Sequence, residues 1–135
     1  MAVLIDSTVF ITMERRGLRV ADLGPLLPPG EIGLSAVTAS ELLVGVHRAA
    51  SPAQRSRRQV FVETVIGTFP VLPFNLETAR VHARLLVDLA SRGLSIGHHD
   101  LFIAATALTH GWAMVTDNRR EFDRVPGLVV VQPDW

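Results

Sequence analysis

The chain has 135 residues, with thirteen arginines, no lysine and thirteen acidic side chains, so its formal net charge is zero. Zero charge speaks against a general polyanion binder, whose domain is normally strongly basic, though not against a local site. With 48% hydrophobic residues and no cysteine, a disordered chain, a disulfide scaffold, a zinc knuckle and a thiol enzyme are excluded.

The length suits a single domain, residues 1–135, large enough to bury a core without a disulfide or structural metal. The start, MAVLIDSTVF, lacks a basic leader region and meets Asp6 early, so it does not read as a signal peptide. The longest apolar and small run, Leu101 to Leu108, falls short of the ~18–20 residues that span a bilayer. A soluble, cytoplasmic protein is expected.

In chain order, Val3-Leu4-Ile5 predicts a buried strand stopped by Asp6, and Ser7 or Thr8 a helix cap for a segment reaching Glu14. Pro25, Pro28, Pro29 and Gly30 mark a loop. Ile32-Gly33-Leu34 predicts a second strand, followed by a helix capped by Ser35 and running to about Ala50. Ser51-Pro52 starts the next helix, with proline in its first turn. A third strand falls within Phe69 to Phe74. Asn75 then caps a helix with the apolar stripe Leu76, Ala79, Ala83, Leu86 and Ala90, an Arg84–Asp88 pair on its exposed side, and Gly93 at its end. A further helix runs from about Gly97 to His110, closed by Gly111. Trp112 to Thr116 and Leu128 to Val131 complete five strands. Strands alternating with helices predict an α/β fold with a mostly parallel five-stranded sheet, and ligands at the strands' carboxyl ends.

That rule gives four acids a shared address. Asp6 follows the first strand and Asp117 the fourth; Asp100 opens a helix of apolar and small residues; Glu41 lies in the second turn of the helix after strand two. Each has an ordinary alternative: Asp6 as a cap, Asp100 as a partner of the helix dipole, and Asp117-Asn118 as a turn pair. Glu41 shares a face with Val37, Val44 and Gly45, where a carboxylate needs a partner, either Arg48 on the same face or a metal. Together the four suggest an oxygen site for Mg²⁺ or Mn²⁺, of the kind that serves phosphoryl chemistry.

Four segments in order, VLIDSTVFI, LSAVTASELLVGV, SIGHHDLFIAATAL and AMVTDNRREF, resemble the motifs of PIN-domain ribonucleases, and among those the VapC toxins of bacterial toxin–antitoxin pairs. The resemblance spans nearly the whole chain and implies a PIN-like three-layer fold. It implies that Asp6, Glu41, Asp100 and Asp117 bind one or two Mg²⁺ or Mn²⁺ ions. Thr8 and Thr116 would brace the acids, and Asn118 would assist beside them. It further implies RNA hydrolysis leaving a 5′-phosphate and a 3′-hydroxyl, with tRNA and rRNA as candidate substrates. A homodimer is implied, as is a VapB-like antitoxin whose arginine meets the carboxylates. The fourth acidic position is the least uniform in the family.

Other features carry less. His98 and His99 point to different faces, which makes a poor chelate; helix capping or an RNA contact suits them better, and His47, His82 and His110 read as surface or helix-end residues. Arg15, Arg16 and Arg19, and Arg119, Arg120 and Arg124, should lie near the carboxyl edge and could meet an RNA backbone, or form solvated faces. Arg55, Arg57 and Arg58 read as a solvated face. Eight aromatics, none in a basic stripe, give no base-stacking platform. Phe122 reads as core.

Two other functions compete with the ribonuclease. One is a catalytically silent PIN-like binding module, against which the intact acidic set speaks. The other is a different phosphate enzyme, for which no phosphate-binding glycine loop is present. Setting the four acids aside leaves nine against thirteen arginines, so the rest of the surface is net basic.

Overall fold

The computed structural model describes residues 1–135. Five strands form one parallel sheet in the order β3-β2-β1-β4-β5: β1 Val3–Ile5, β2 Ile32–Ser35, β3 Val71–Leu72, β4 Ala113–Val115 and β5 Val130–Val131. Helices α1 Ser7–Arg15, α2 Ala36–His47, α3 Pro52–Thr68, α4 Leu76–Ser91, α5 His98–His110 and α6 Arg119–Phe122 connect them, with two 3-10 turns at Val20–Asp22 and Gly24–Leu26.

Strand alternation builds three layers. Val3, Ile5, Leu34, Ala113 and Val115 meet Val9, Phe10, Leu42, Val46, Val62 and Val65 on the face covered by α1, α2 and α3. Leu4 and Met114 point the other way, into Leu85, Leu89, Leu101, Ile103 and Phe122 of α4, α5 and α6. A parallel sheet buried on both faces is the expected outcome of right-handed crossovers. The expectations of five strands, parallel pairing and two helical layers all stand.

Local differences have local causes. Asp6 itself, extended at φ −76° and ψ 153°, caps α1 through its side chain, in place of Ser7 or Thr8. Helix α2 ends at His47, short of Ala50. The largest difference is the register of α4. It buries Thr78, Leu85 and Leu89, while Leu76 (68%) and Leu86 (47%) of the expected stripe are exposed. Two apolar stripes compete on this helix, and packing against α5 selects the one beside Leu101 and Ala105. Asp88 pairs with Arg92 at 3.4 Å, one turn on, rather than with Arg84.

Gly33 lies where β2 passes close to its neighbours. A Cβ there would lie 2.8 Å from the Trp112 ring and 3.1 Å from the Pro70 carbonyl oxygen, which accepts the Leu34 N–H. Gly33→Ala is therefore expected to cost about 1–3 kcal/mol through overpacking. The check is a lower denaturant midpoint; an unchanged midpoint would mean that Trp112 yields freely.

Candidate active site

The chain runs outward from β1 to β2 and β3, then crosses back to β4 on the other side of β1. The crevice at such a reversal, at the strands' carboxyl ends, is where α/β sheets bind ligands. Register pairs Ile5 with Val115, so Asp6 and Thr116 leave the sheet side by side.

Asp6 is buried, 1% exposed. Its Oδ1 accepts the Ser7 N–H at 2.9 Å, and its Oδ2 accepts the Thr8 and Thr116 hydroxyls, each at 2.8 Å. Those hydroxyls are themselves oriented. Thr116 accepts the Asn118 N–H at 2.8 Å, and Thr8 accepts the Asp117 N–H at 3.2 Å. Thr8 and Thr116 thus both hydrogen-bond to the Asp6 carboxylate, and Asn118 enters through its backbone N–H. Burial raises the Asp6 pKa above the usual carboxylate range, against the lowering effect of these hydrogen bonds.

Glu41 projects from α2 toward the same edge. Its Oε2 lies 3.5 Å from His99 Nδ1, and its Oε1 is buried without a hydrogen-bond partner. Burial first, and the Asp6 charge second, raise its pKa. The partner is His99 and not Arg48, because α5 brings its first turn over α2.

Asp100 sits in that first turn. Its pKa is pushed up to about 8, by burial foremost and then by a hydrogen bond with Glu121 and the charges of Asp6, Glu121 and Glu41. Glu121, on the four-residue helix α6, is therefore a member of the acidic group that the sequence pattern passed over. The Thr-Asp-Asn turn after β4 drew attention to the first acid available. The signal for Glu121 was its place three residues beyond Asn118, which caps α6.

Asp117 is close enough for its charge to raise Asp6. Its side chain nevertheless faces outward, accepting the Thr12 hydroxyl at 2.8 Å and the Trp135 indole N–H at 3.3 Å. The structure thus gathers Asp6, Glu41, Asp100 and Glu121, with Asp117 at their flank. The side chains do not close into a ready-made ligand cage of three or more.

A groove of about 420 Å³ opens beside Glu41 between α1, α2 and α3, with Ile11, Arg15, Leu42 and Val62 in its walls. Arg58 crosses its floor, donating to Glu14 Oε1 at 2.9 Å and to the Gly45 carbonyl at 2.8 Å. It is a structural tie, not the solvated charge expected. Of the other arginines, Arg15, Arg16 and Arg120 are exposed, Arg19 pairs with Asp22, Arg119 pairs with Asp123, and Arg124 donates to the Ser95 carbonyl. His82 is half-buried, stacked on Phe102 with centroids 4.6 Å apart.

The donor set fits a hard divalent cation. A cation among the acids would give the buried, unpartnered Glu41 Oε1 a partner and would displace the proton from Asp100, whose pKa burial and its neighbours push up to about 8.

Comparison with known proteins agrees with this geometry. The PIN domain family model matches residues 3–128. Ribonuclease VapC1 of Rickettsia felis is 35% identical over 131 residues, covering 97% of this chain and 96% of that protein. The tRNA(fMet)-specific endonuclease VapC of Salmonella typhimurium is 32% identical, over 76% of this chain and 74% of that one. The crystal structure of DNA-bound VapBC from Salmonella typhimurium superposes with a TM-score of 0.85 at 26% identity, covering 98% of each chain. With the acids gathered where the sheet order reverses and a family match from β1 to the approach of β5, the chain belongs to the PIN domain family, among its VapC ribonucleases.

Proposed function

We propose that this chain is an endoribonuclease dependent on Mg²⁺ or Mn²⁺ and acts as the toxin of a VapBC-type pair, inhibiting translation and growth. The observation that carries the metal dependence is the convergence of Asp6, Glu41, Asp100 and Glu121, with Glu41 Oε1 buried and unpaired and the Asp100 pKa raised by burial and then by its acidic neighbours. The relatives' names support RNA as the substrate class, with tRNA a candidate because one of them is a tRNA(fMet)-specific endonuclease. The VapBC complex supports a VapB-like antitoxin as partner. A homodimer belongs to the same proposal. No helix is long and apolar enough to cross a membrane, and the cytoplasm is the proposed compartment.

In this reading Asp6, Glu41 and Asp100 hold the ion, with Glu121 behind Asp100. Such an ion, when bound, neutralises phosphate charge and lowers the pKa of water. The chain's own residues supply position. The three donors on Asp6 fix its carboxylate, so little reorganisation is needed when substrate arrives. His99 holds Glu41 Oε2 and leaves Oε1 directed inward. Exposed Arg15, which shares the groove with Glu41, can meet the RNA backbone, as can the exposed Arg16 and Arg120.

The test is RNA cleavage by the purified chain with Mg²⁺, with Mn²⁺ and with EDTA, the product ends being mapped. Cleavage is expected with either metal, leaving 5′-phosphates, and is expected to stop in EDTA and return on metal addition. Full activity in EDTA would overturn the metal dependence; no cleavage with either ion would favour a silent binding module.

A further inference from the structure

Asp117 is held at three points by one face of α1 and the segment after β5. Thr8, Thr12 and Arg16 are spaced at i, i+4 and i+8, so they form a single stripe along α1. Thr8 accepts the Asp117 backbone N–H, and Thr12 donates to Asp117 Oδ2 at 2.8 Å. Trp135 Nε1 donates to Asp117 Oδ1 at 3.3 Å, and the Arg16 guanidinium lies over the Trp135 ring, 5.0 Å from its centroid. The segment carrying Trp135 is anchored in turn: Asp134 N–H donates to the Leu26 carbonyl at 3.0 Å, and the indole packs on the core beneath α1.

Both carboxylate oxygens of Asp117 are thus engaged away from the other acids, although the residue follows β4 directly and lies beside Thr116 at the edge of the site. Its neighbour Thr116, by contrast, turns its hydroxyl inward to Asp6 at 2.8 Å. A rotation of the Asp117 side chain toward Asp6 would break two hydrogen bonds, one of them with an indole that is itself fixed by packing and by Arg16.

We infer that Thr12 and Trp135 form a clamp that withholds Asp117 from the cation site of Asp6, Glu41 and Asp100, so that Trp135 is a positioning residue of that site. The inference rests on the metal-dependent reading above. It assigns a task to the Arg16–Trp135 stack as well: the cation fixes the indole plane that presents Nε1 to Asp117.

The test is calorimetric titration of Mn²⁺ into the wild-type chain, Trp135→Phe, Thr12→Val, and each of these combined with Asp117→Asn. Phenylalanine keeps a ring beneath Arg16 and removes only the N–H, while Thr12→Val removes the second hydrogen bond without touching Trp135. Each single variant is expected to bind Mn²⁺ about fivefold more tightly, the scale of one exposed hydrogen bond, because Asp117 is released to join the other acids. Adding Asp117→Asn should return the affinity to the wild-type value. Unchanged or weaker binding in the folded single variants overturns the clamp, as does a gain that persists with Asp117→Asn. Absence of Mn²⁺ binding by every form, wild type included, instead sinks the metal-dependent reading and takes the clamp with it. If Trp135→Phe fails to fold, the Thr12→Val pair decides alone.

Discussion

Replacing Asp6 by asparagine is expected to lower RNA cleavage by about two to three orders of magnitude, the scale of losing a cation's stabilisation of the reacting phosphate. The same variant is expected to keep, or raise, the melting temperature of the metal-free protein. The two effects have one cause. Asp6 is buried with its charge beside Asp117 and the other acids, and burial lifts its pKa despite three hydrogen bonds. An ionised carboxylate at this position is therefore unfavourable to the fold until a cation joins it. Asparagine keeps an oxygen able to accept from Ser7 or the threonines, and removes the charge. A residue retained at a cost to stability is one whose chemistry is needed. Initial rates on a defined RNA, paired with thermal unfolding in EDTA, check both halves. Cleavage within a fewfold of wild type would remove Asp6 from the site, and a large drop in melting temperature would recast it as a structural cap of α1.

What could be read from the sequence was what local chemistry determines. Asp6 and Asp100 could be singled out because one follows a strand and the other opens a helix, and Glu41 because a carboxylate in the second turn of α2 shares an apolar face; the parallel topology sends these points to one edge. Helix starts at Ser35, Ser51 and Asn75 were legible for the same reason, since each side chain accepts the N–H three residues on. The register of α4 was not. Leu76, Ala79, Ala83 and Leu86 have the same helical period as Thr78, Leu85 and Leu89, and only contact with α5 chooses between them. Nor was the choice between Asp117 and Glu121. Four residues apart, they are told apart by long-range contacts: Thr12 and Trp135, the latter from the segment after β5, hold the Asp117 carboxylate, while Glu121 meets Asp100. His99 as the partner of Glu41 likewise needed the packing of α5 across α2. Long-range contacts, rather than composition, decide which acids face each other.

Raising the pH should destabilise the metal-free protein between about pH 4 and pH 8, and Asp100→Asn should remove most of that slope. Below the ordinary aspartate pKa of 3.8 the folded and unfolded chains both carry the proton on Asp100, and no difference arises. Between 3.8 and about 8 the unfolded chain has lost it while the folded protein keeps it, shared with Glu121. The folded state then binds more protons, so stability falls as pH rises and the full penalty is present above about 8. Asp6 and Glu41 are shifted in the same direction and add to the slope. Asp100 is only partly buried and solvent screens it, so the loss is expected as a fall of several degrees in melting temperature across this window. Mn²⁺ should reverse the trend, because an ion bound among the acids displaces the proton from Asp100. Its affinity should then fall about tenfold per pH unit below pH 8, with close to one proton released per ion. Thermal unfolding across pH in EDTA and Mn²⁺ titrations in buffers of different ionisation enthalpy measure the two arms. A flat stability profile with no proton release would mean that Asp100 is ionised in the free protein, and that the acids lie too far apart to act on one cation.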